Sequence, residues 1–294
     1  MDLTGHDVVL VTLDSCRYDT AVAAQTPNLD RLSRLLRAET SGTYTLPAHT
    51  AFFTGNLPRP LEGGYPLGPH TVAAIWRSMA ARPTSRTVGI DFNGRTLMDH
   101  YRASGFTVIG AGGVTFFDPA EPNNCLPGLF DQFHYFGRTN RDAGSPAARV
   151  ASRSDNLTLT HAAELGRLCR GQDRFFLFVN CPSTHIPYTT PDNPLTPAVV
   201  PLLERLYELH DSKRSDPAAF SEAEVGVLLG LQRQALEWAD RQLGSLFGSL
   251  AGRRVLVVVC ADHGDEFGEA GRYGHAHAHP TITTVPLWCG LLGR

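Results

Sequence analysis

The chain has 294 residues, 42% of them hydrophobic, and a formal net charge of −3. That is enough apolar material for a sizeable core, and the absence of a basic stripe argues against a nucleic-acid partner. No apolar run approaches the roughly 20 residues a spanning helix needs, and Met1 to Asp7 lacks the basic-then-apolar pattern of a signal peptide, so no membrane span and a cytoplasmic location are expected. Lys213, the only lysine, sits in the polar stretch Asp211–Asp216 and is a poor candidate for lysine chemistry. The six cysteines form no C-x-x-C pair and read as reduced core residues.

In chain order, strand signals fall at Val8–Leu13, Thr87–Ile90, Thr107–Ile109, Phe175–Asn180 and Val255–Cys260. The first, fourth and fifth are near-continuous apolar runs, as in strands covered on both faces. Thr26-Pro27-Asn28 opens a predicted helix that runs to Leu36 with leucines at helical spacing. Further helices are predicted at Thr71–Ala81, Thr96–Ala103, Leu157–Arg170, Leu202–His210 and Glu222–Leu250, the last with a break at Gly230. Phe116–Ser154 and Thr189–Asp216 are rich in turn-forming residues and read as long loops. Alternating β and α segments predict an α/β fold, a mainly parallel central sheet with helices on both faces. With no repeat or linker in view, residues 1–294 are expected to form a single domain.

Two apolar runs end in metal-ligand chemistry. Val8–Leu13 ends in Asp14, and Val255–Ala261 ends in Asp262-His263-Gly264. Alone, Asp14 reads as the polar end of a strand. A carboxylate and an imidazole adjacent at a second strand end suit a divalent cation, and open α/β sheets place their sites at such ends. Thr45-Leu46-Pro47-Ala48-His49-Thr50 lies between the two runs and offers a hydroxyl.

These pieces, with Thr26–Leu32, Phe175–Val179 followed by Thr184-His185-Ile186-Pro187-Tyr188, Asp262–Glu269, Tyr273-Gly274-His275 and Val285–Trp288, stand in an order that resembles the alkaline phosphatase superfamily, in its sulfatase-like and phosphodiesterase-like branch. The resemblance implies an alkaline phosphatase-like fold that lacks the extra C-terminal subdomain of many relatives. The pocket is then expected to be more open, or closed by a second subunit in a homo-oligomer.

The resemblance also implies roles. Asp14, Asp262 and His263 would hold a divalent metal, Zn²⁺ or Mn²⁺, with Thr45 as the nucleophile whose oxygen the metal activates through a covalent phospho-threonine. His49 stands where sulfatases have an arginine, to bind a non-bridging oxygen or to orient Thr45. His185 resembles a histidine near the leaving group, a candidate general acid. Arg17 either contacts an anionic substrate or pairs with an acid such as Asp19. His275, twelve residues after His263, resembles a ligand of a second ion, with His185 and His277 as partners. The acid that completes such a site is missing from the middle loop, which has Asn180, Ser183 and Thr184. The roles of His277 and His279 stay open, and Ser15 in place of a second acid weakens a calcium-type site.

Thr45 in place of a cysteine or serine, His49 in place of arginine and a single lysine disfavour sulfate esters. The expected activity is hydrolysis or transfer at a phosphorus ester, a phosphodiester or phosphomonoester, on a small anionic substrate. The alternatives are a phosphotransferase of a biosynthetic pathway and a catalytically silent binding protein that keeps the fold.

Overall fold

The computed structural model describes residues 5–55, 78–79, 89–90, 95–121, 124–137 and 157–293. The chain runs β1 (Asp7–Leu13), α1 (Tyr18–Ala23), α2 (Pro27–Asp30), β2 (Leu36–Glu39), α3 (Thr45–Thr54), β3 (Ser78–Met79), β4 (Gly89–Ile90), α4 (Leu97–Ala103), β5 (Thr107–Gly112), β6 (Gln132–Tyr135), α5 (Ala162–Arg170), β7 (Phe175–Cys181), α6 (Val200–Ser212), α7 (Glu222–Ser249), β8 (Val255–Ala261), β9 (Glu266–Phe267), β10 (Tyr273–Gly274), α8 (Pro280–Thr283) and β11 (Thr284–Leu292). Seven strands form one sheet in the order β2-β11-β8-β1-β7-β5-β6. β8, β1, β7, β5 and β6 are mutually parallel, and β11 runs antiparallel between β8 and β2.

Residue alternation along β1 separates two cores. Val9, Val11 and Leu13 point to one face, against Ala21 of α1, Leu165 and Cys169 of α5 and the Leu236–Leu246 stripe of α7. Val8 and Leu10 point to the other, with Phe176, Phe178, Leu46 and Phe53 of α3 and Met98 of α4. A third cluster packs Leu202, Leu206 and Leu209 of α6 and Leu228 of α7 over Ile186, Tyr188, Phe267 and Tyr273. It lies against the segments that follow β7 and β8, so it backs the C-terminal end of the sheet.

Several expectations are corrected. The Thr26–Leu36 helix is a single turn, Pro27–Asp30, after which the chain turns to form β2 against β11, Leu36 opposite Leu287. The first turn is held from outside: the buried Asp240 carboxylate on α7 accepts from Asn28 N, Leu29 N and Asn28 Nδ2. α7 is continuous through Gly230, started by a Ser221/Glu224 capping box. Burial of Leu228, Ala235, Leu236, Ala239 and Leu243 on either side outweighs the ~1 kcal/mol that a helical glycine costs. The Phe116–Ser154 loop contains the edge strand β6, and its residues 138–154 lie outside the described residues. Of the predicted Thr71–Ala81 helix, Ser78–Met79 pairs with Gly89–Ile90 as strand, and the rest lies outside the described residues. Among the described residues no helix is long and apolar enough to cross a membrane.

Asp240→Ala leaves two backbone donors of α2 without an acceptor, and Asp240→Asn keeps one amide oxygen for them. The alanine variant is expected to lose about 3 kcal/mol and the asparagine variant clearly less, read as a shift in urea midpoint at constant m-value.

Candidate metal centre and active site

Strand register creates the site. Leu13 pairs with Ala261, so the next residues, Asp14 and Asp262, emerge side by side from the C-terminal ends of adjacent parallel strands. Asp14 N donates to Cys181 O at 3.0 Å, which ties the same point to the end of β7. Ser15 adopts φ 62°, and this left-handed turn brings its N–H to Asp262 Oδ1 at 3.1 Å. Thr40 Oγ1 donates to Asp262 O at 2.6 Å and Thr184 Oγ1 to Asp14 O at 2.7 Å.

Asp14, Asp262 and His263 are all completely buried, and a ligand atom from each lies within 4.8 Å of the others. His263 Nδ1 is 3.0 Å from Gly264 O, a carbonyl that only accepts, so Nδ1 carries the proton. Its Nε2 then faces Asp262 Oδ2 at 3.5 Å and Asp14 Oδ1 at 3.7 Å. Both Asp262 Oδ2 and His263 Nε2 are buried without a hydrogen-bond partner. Each orphaned polar atom costs about 1–3 kcal/mol, and a divalent cation satisfies both at once. The donor set of two carboxylates and one imidazole, with no thiolate, fits zinc or manganese. Burial, and then the Asp14 charge, pushes the Asp262 carboxyl up to about 8. Burial works against charge on His263, but Asp262 and Asp14 outweigh it and hold the imidazole above its ordinary value.

A second group shares His263. Asp265, His275 and His263 also bring ligand atoms within 4.8 Å of one another. His275 Nδ1 lies 2.8 Å from Asp265 Oδ1, and Tyr188 OH donates to Asp265 Oδ2 at 2.9 Å. The acid sought in the middle loop therefore comes from Asp265, three residues after Asp262. The Asp-His-Gly-Asp spacing was the available signal. His185 joins this side, its ring centroid 5.4 Å from that of His275, and its Nδ1 bonds Ile186 O at 2.8 Å. A fourth imidazole, missed in the sequence, is His210 on α6, 4.5 Å from His275 between ring centroids. Lys213, at the end of the same helix, donates to His275 O at 3.1 Å.

Two other candidates point elsewhere. His277 Nε2 bonds Glu266 Oε2 at 2.7 Å, and His279 Nδ1 is 2.7 Å from Thr281 Oγ1. The alternating histidines share no face because Ala276 at φ 69° turns the chain between His275 and His277. Arg17 takes the second of its two readings. Its guanidinium is bidentate to Asp19 at 2.8 and 2.6 Å and pairs with Glu269 at 2.5 Å, so it braces the segment after β8. Burial opposes its charge, but the bonds and charge of Asp19 hold the guanidinium still more firmly protonated.

Thr45 is the first residue of α3 and is buried. Its hydroxyl makes no hydrogen bond among the described residues, whereas its carbonyl accepts from His49 Nδ1 at 2.7 Å. His49 Nε2 is 2.9 Å from Thr12 Oγ1, and its Nδ1 is 3.7 Å from Asp262 Oδ2. The imidazole is packed edge-on against Phe117 and Phe178, and burial pushes it down to about 4. It is thus a neutral strut between the first turn of α3 and the metal acids, with both ring nitrogens engaged inside the protein.

The family model described as Sulfatase matches residues 6–287. The chain belongs to the sulfatase family. That places it in the alkaline phosphatase superfamily, whose members hydrolyse or transfer phosphate or sulfate esters and are metalloenzymes. Among solved structures, the C-terminal periplasmic domain of EcEptC from Escherichia coli, in complex with Zn, is 15% identical with a TM-score of 0.58, covering 99% of this chain and 75% of its own. Phosphonate monoester hydrolase of Agrobacterium radiobacter is 17% identical with a TM-score of 0.62, covering 97% and 68%. The putative sulfatase yidJ from Bacteroides fragilis is 15% identical with a TM-score of 0.60, covering 99% and 69%. At these identities the likeness is one of fold. A comparison with curated protein sequences finds no match.

The raised Asp262 carboxyl carries a proton at neutral pH in the metal-free protein and must lose it to bind a cation, and Asp262 and Asp14, by raising His263, favour the protonated imidazole over the neutral one that a cation needs. Zn²⁺ or Mn²⁺ binding at pH 7 is therefore expected to release protons, and apparent affinity to rise with pH up to about 8. Calorimetry in two buffers of different ionisation enthalpy measures the release. Asp262→Asn is expected to weaken binding by more than about 100-fold. Binding heats that are independent of buffer would contradict the assignment.

Proposed function

We propose that this sulfatase-family chain is a metal-dependent phosphoester hydrolase or phosphotransferase that works through Thr45, in one catalytic domain, on a small anionic phosphodiester or phosphomonoester. The observation that carries the reading is the buried Asp14–Asp262–His263 group, with two donor atoms unpaired, braced by His49 against the helix that begins at Thr45. A divalent cation bound there supplies Lewis-acid chemistry, which lowers the cost of the threonine alkoxide and neutralises an anionic ester.

The protein's own groups account for the rest. Thr45 opens a ten-residue helix, where unpaired N–H groups and the helix dipole favour a phosphoryl anion. In-line attack forms the Thr45 Oγ–P bond and breaks the bond from phosphorus to the leaving alcohol. The Thr45 hydroxyl gives up its proton to solvent water before the attack, and His185 regains one from solvent after it has protonated the leaving alcohol. The alcohol oxygen takes a proton from His185, whose Nδ1 is committed to the Ile186 carbonyl, so that Nε2 makes the transfer. Water then hydrolyses phospho-Thr45, or an acceptor alcohol takes the phosphoryl group. Arg17 and His49 act by position, since both are bonded within the protein.

Sulfate ester chemistry is disfavoured by Thr45 itself, which has no route to the aldehyde hydrate that cysteine or serine supplies in sulfatases. The fold is shared with a phosphonate monoester hydrolase as much as with EcEptC, so it does not choose between hydrolysis and transfer.

The test is turnover of p-nitrophenyl phosphate, its phosphodiester, a phosphonate monoester and the sulfate, with Zn²⁺ or Mn²⁺ added. Metal-dependent release is expected from a phosphorus ester and not from the sulfate. Thr45→Ala is expected to lose at least ~10³-fold in kcat while metal affinity survives. His185→Ala is expected to lose about 10²–10⁴-fold, and less on p-nitrophenyl esters, whose leaving group needs little protonation. Unchanged turnover in Thr45→Ala would refute the nucleophile.

A further inference from the structure

Gln232 lies in the middle of α7, in line with Leu228, Ala235, Leu236 and Ala239 on the stripe that faces the core, and it is completely buried. A glutamine in that line costs stability unless its amide is fully bonded. Here it is. Nε2 donates to Ser15 O at 2.9 Å and to Thr184 O at 3.1 Å. Oε1 accepts from Thr20 Oγ1 at 2.8 Å and from Arg17 N at 3.4 Å. The two carbonyls can only accept, and the backbone N–H can only donate, so the orientation of the amide is fixed.

The four partners come from two separate pieces of the site, residues 15–20 and the segment after β7 that ends in Thr184. Ser15 is the left-handed residue directly after Asp14, and its N–H holds Asp262 Oδ1. Thr184 holds the Asp14 carbonyl through its own hydroxyl and immediately precedes His185. Arg17 and Thr20 begin the helix that leads away. We infer that Gln232 is a positioning residue that locks the Asp14–Ser15 turn and the His185 loop into one rigid unit, setting the distance between the metal acids and the proton donor. The inference rests on the proposed metal centre. No polar group of similar size replaces it: asparagine is one methylene too short to reach all four partners, and glutamate offers no donor to the two carbonyls.

The experiment compares Gln232→Met, which keeps length and removes every bond, with Leu236→Ala, an apolar cavity on the same helix that removes no hydrogen bond. Full-length protein is loaded with Co²⁺, whose visible spectrum reports ligand geometry without any turnover. Gln232→Met is expected to shift the band positions or intensities, and to lower kcat by about 10–100-fold with little change in KM. Leu236→Ala is expected to keep the wild-type spectrum at a comparable loss of stability. In a His185→Ala background the Gln232→Met loss in kcat should shrink, because one of the two groups being positioned is gone. A wild-type spectrum together with a kcat loss no larger than that of Leu236→Ala would overturn the inference alone. If wild type itself gives no Co²⁺ spectrum, the metal centre fails and this inference with it. Should Gln232→Met not fold, Thr20→Val, which removes the hydroxyl that Gln232 Oε1 accepts from and keeps the amide, makes a milder form of the same comparison.

Discussion

Two carboxylates, Asp14 and Asp262, are held side by side without solvent at the ends of neighbouring parallel strands, with an imidazole against them. Two like charges in a buried site repel, and each has lost its hydration. A fold keeps such a pair ionised only when something else supplies positive charge, and otherwise Asp262 holds a proton. The His263 imidazole, which Asp262 and Asp14 hold above its ordinary value, answers part of that need. The unpaired Asp262 Oδ2 and His263 Nε2 show where the remainder belongs.

Much of the surrounding structure serves to hold that pair in register. The β1–β8 pairing sets the acids level, and β7 pins Asp14 from the other side. Backbone carbonyls of both acids are tied by threonines, Thr184 to Asp14 and Thr40 to Asp262. His49 fills the gap between β1 and α3, buried among phenylalanines that keep it neutral, so it adds rigidity without adding charge. The Arg17–Asp19–Glu269 cluster secures the loop that presents Asp265. The chain thus surrounds its buried acids with neutral donors and keeps the strong ion pairs one step away.

The sheet and the first metal group were legible in the sequence because β1, β7 and β8 are apolar on both faces and end abruptly in polar residues. Local signals failed where tertiary contacts decide. Leucine spacing after Thr26 resembles a helix, but β11 needs an edge partner and takes Leu36–Glu39. Gly230 looks like a break, but the packing of α7 carries through it. His275, His277 and His279 look equivalent at alternate positions, and a single positive φ at Ala276 sends His275 to Asp265 and His277 to Glu266. His210 and Lys213 could not be linked to the site at all, because only the packing of α6 over the third core cluster brings them to His275.

The central claim is that Asp14, Asp262 and His263 hold a divalent cation next to Thr45. The most direct measurement is an anomalous difference map from crystals grown with Zn²⁺, collected at the zinc edge. The account predicts a peak bonded to Asp14, Asp262 Oδ2 and His263 Nε2, with the Thr45 hydroxyl turned toward it. A peak only on Glu266, His277 and His279, or none among the strand ends, would contradict it.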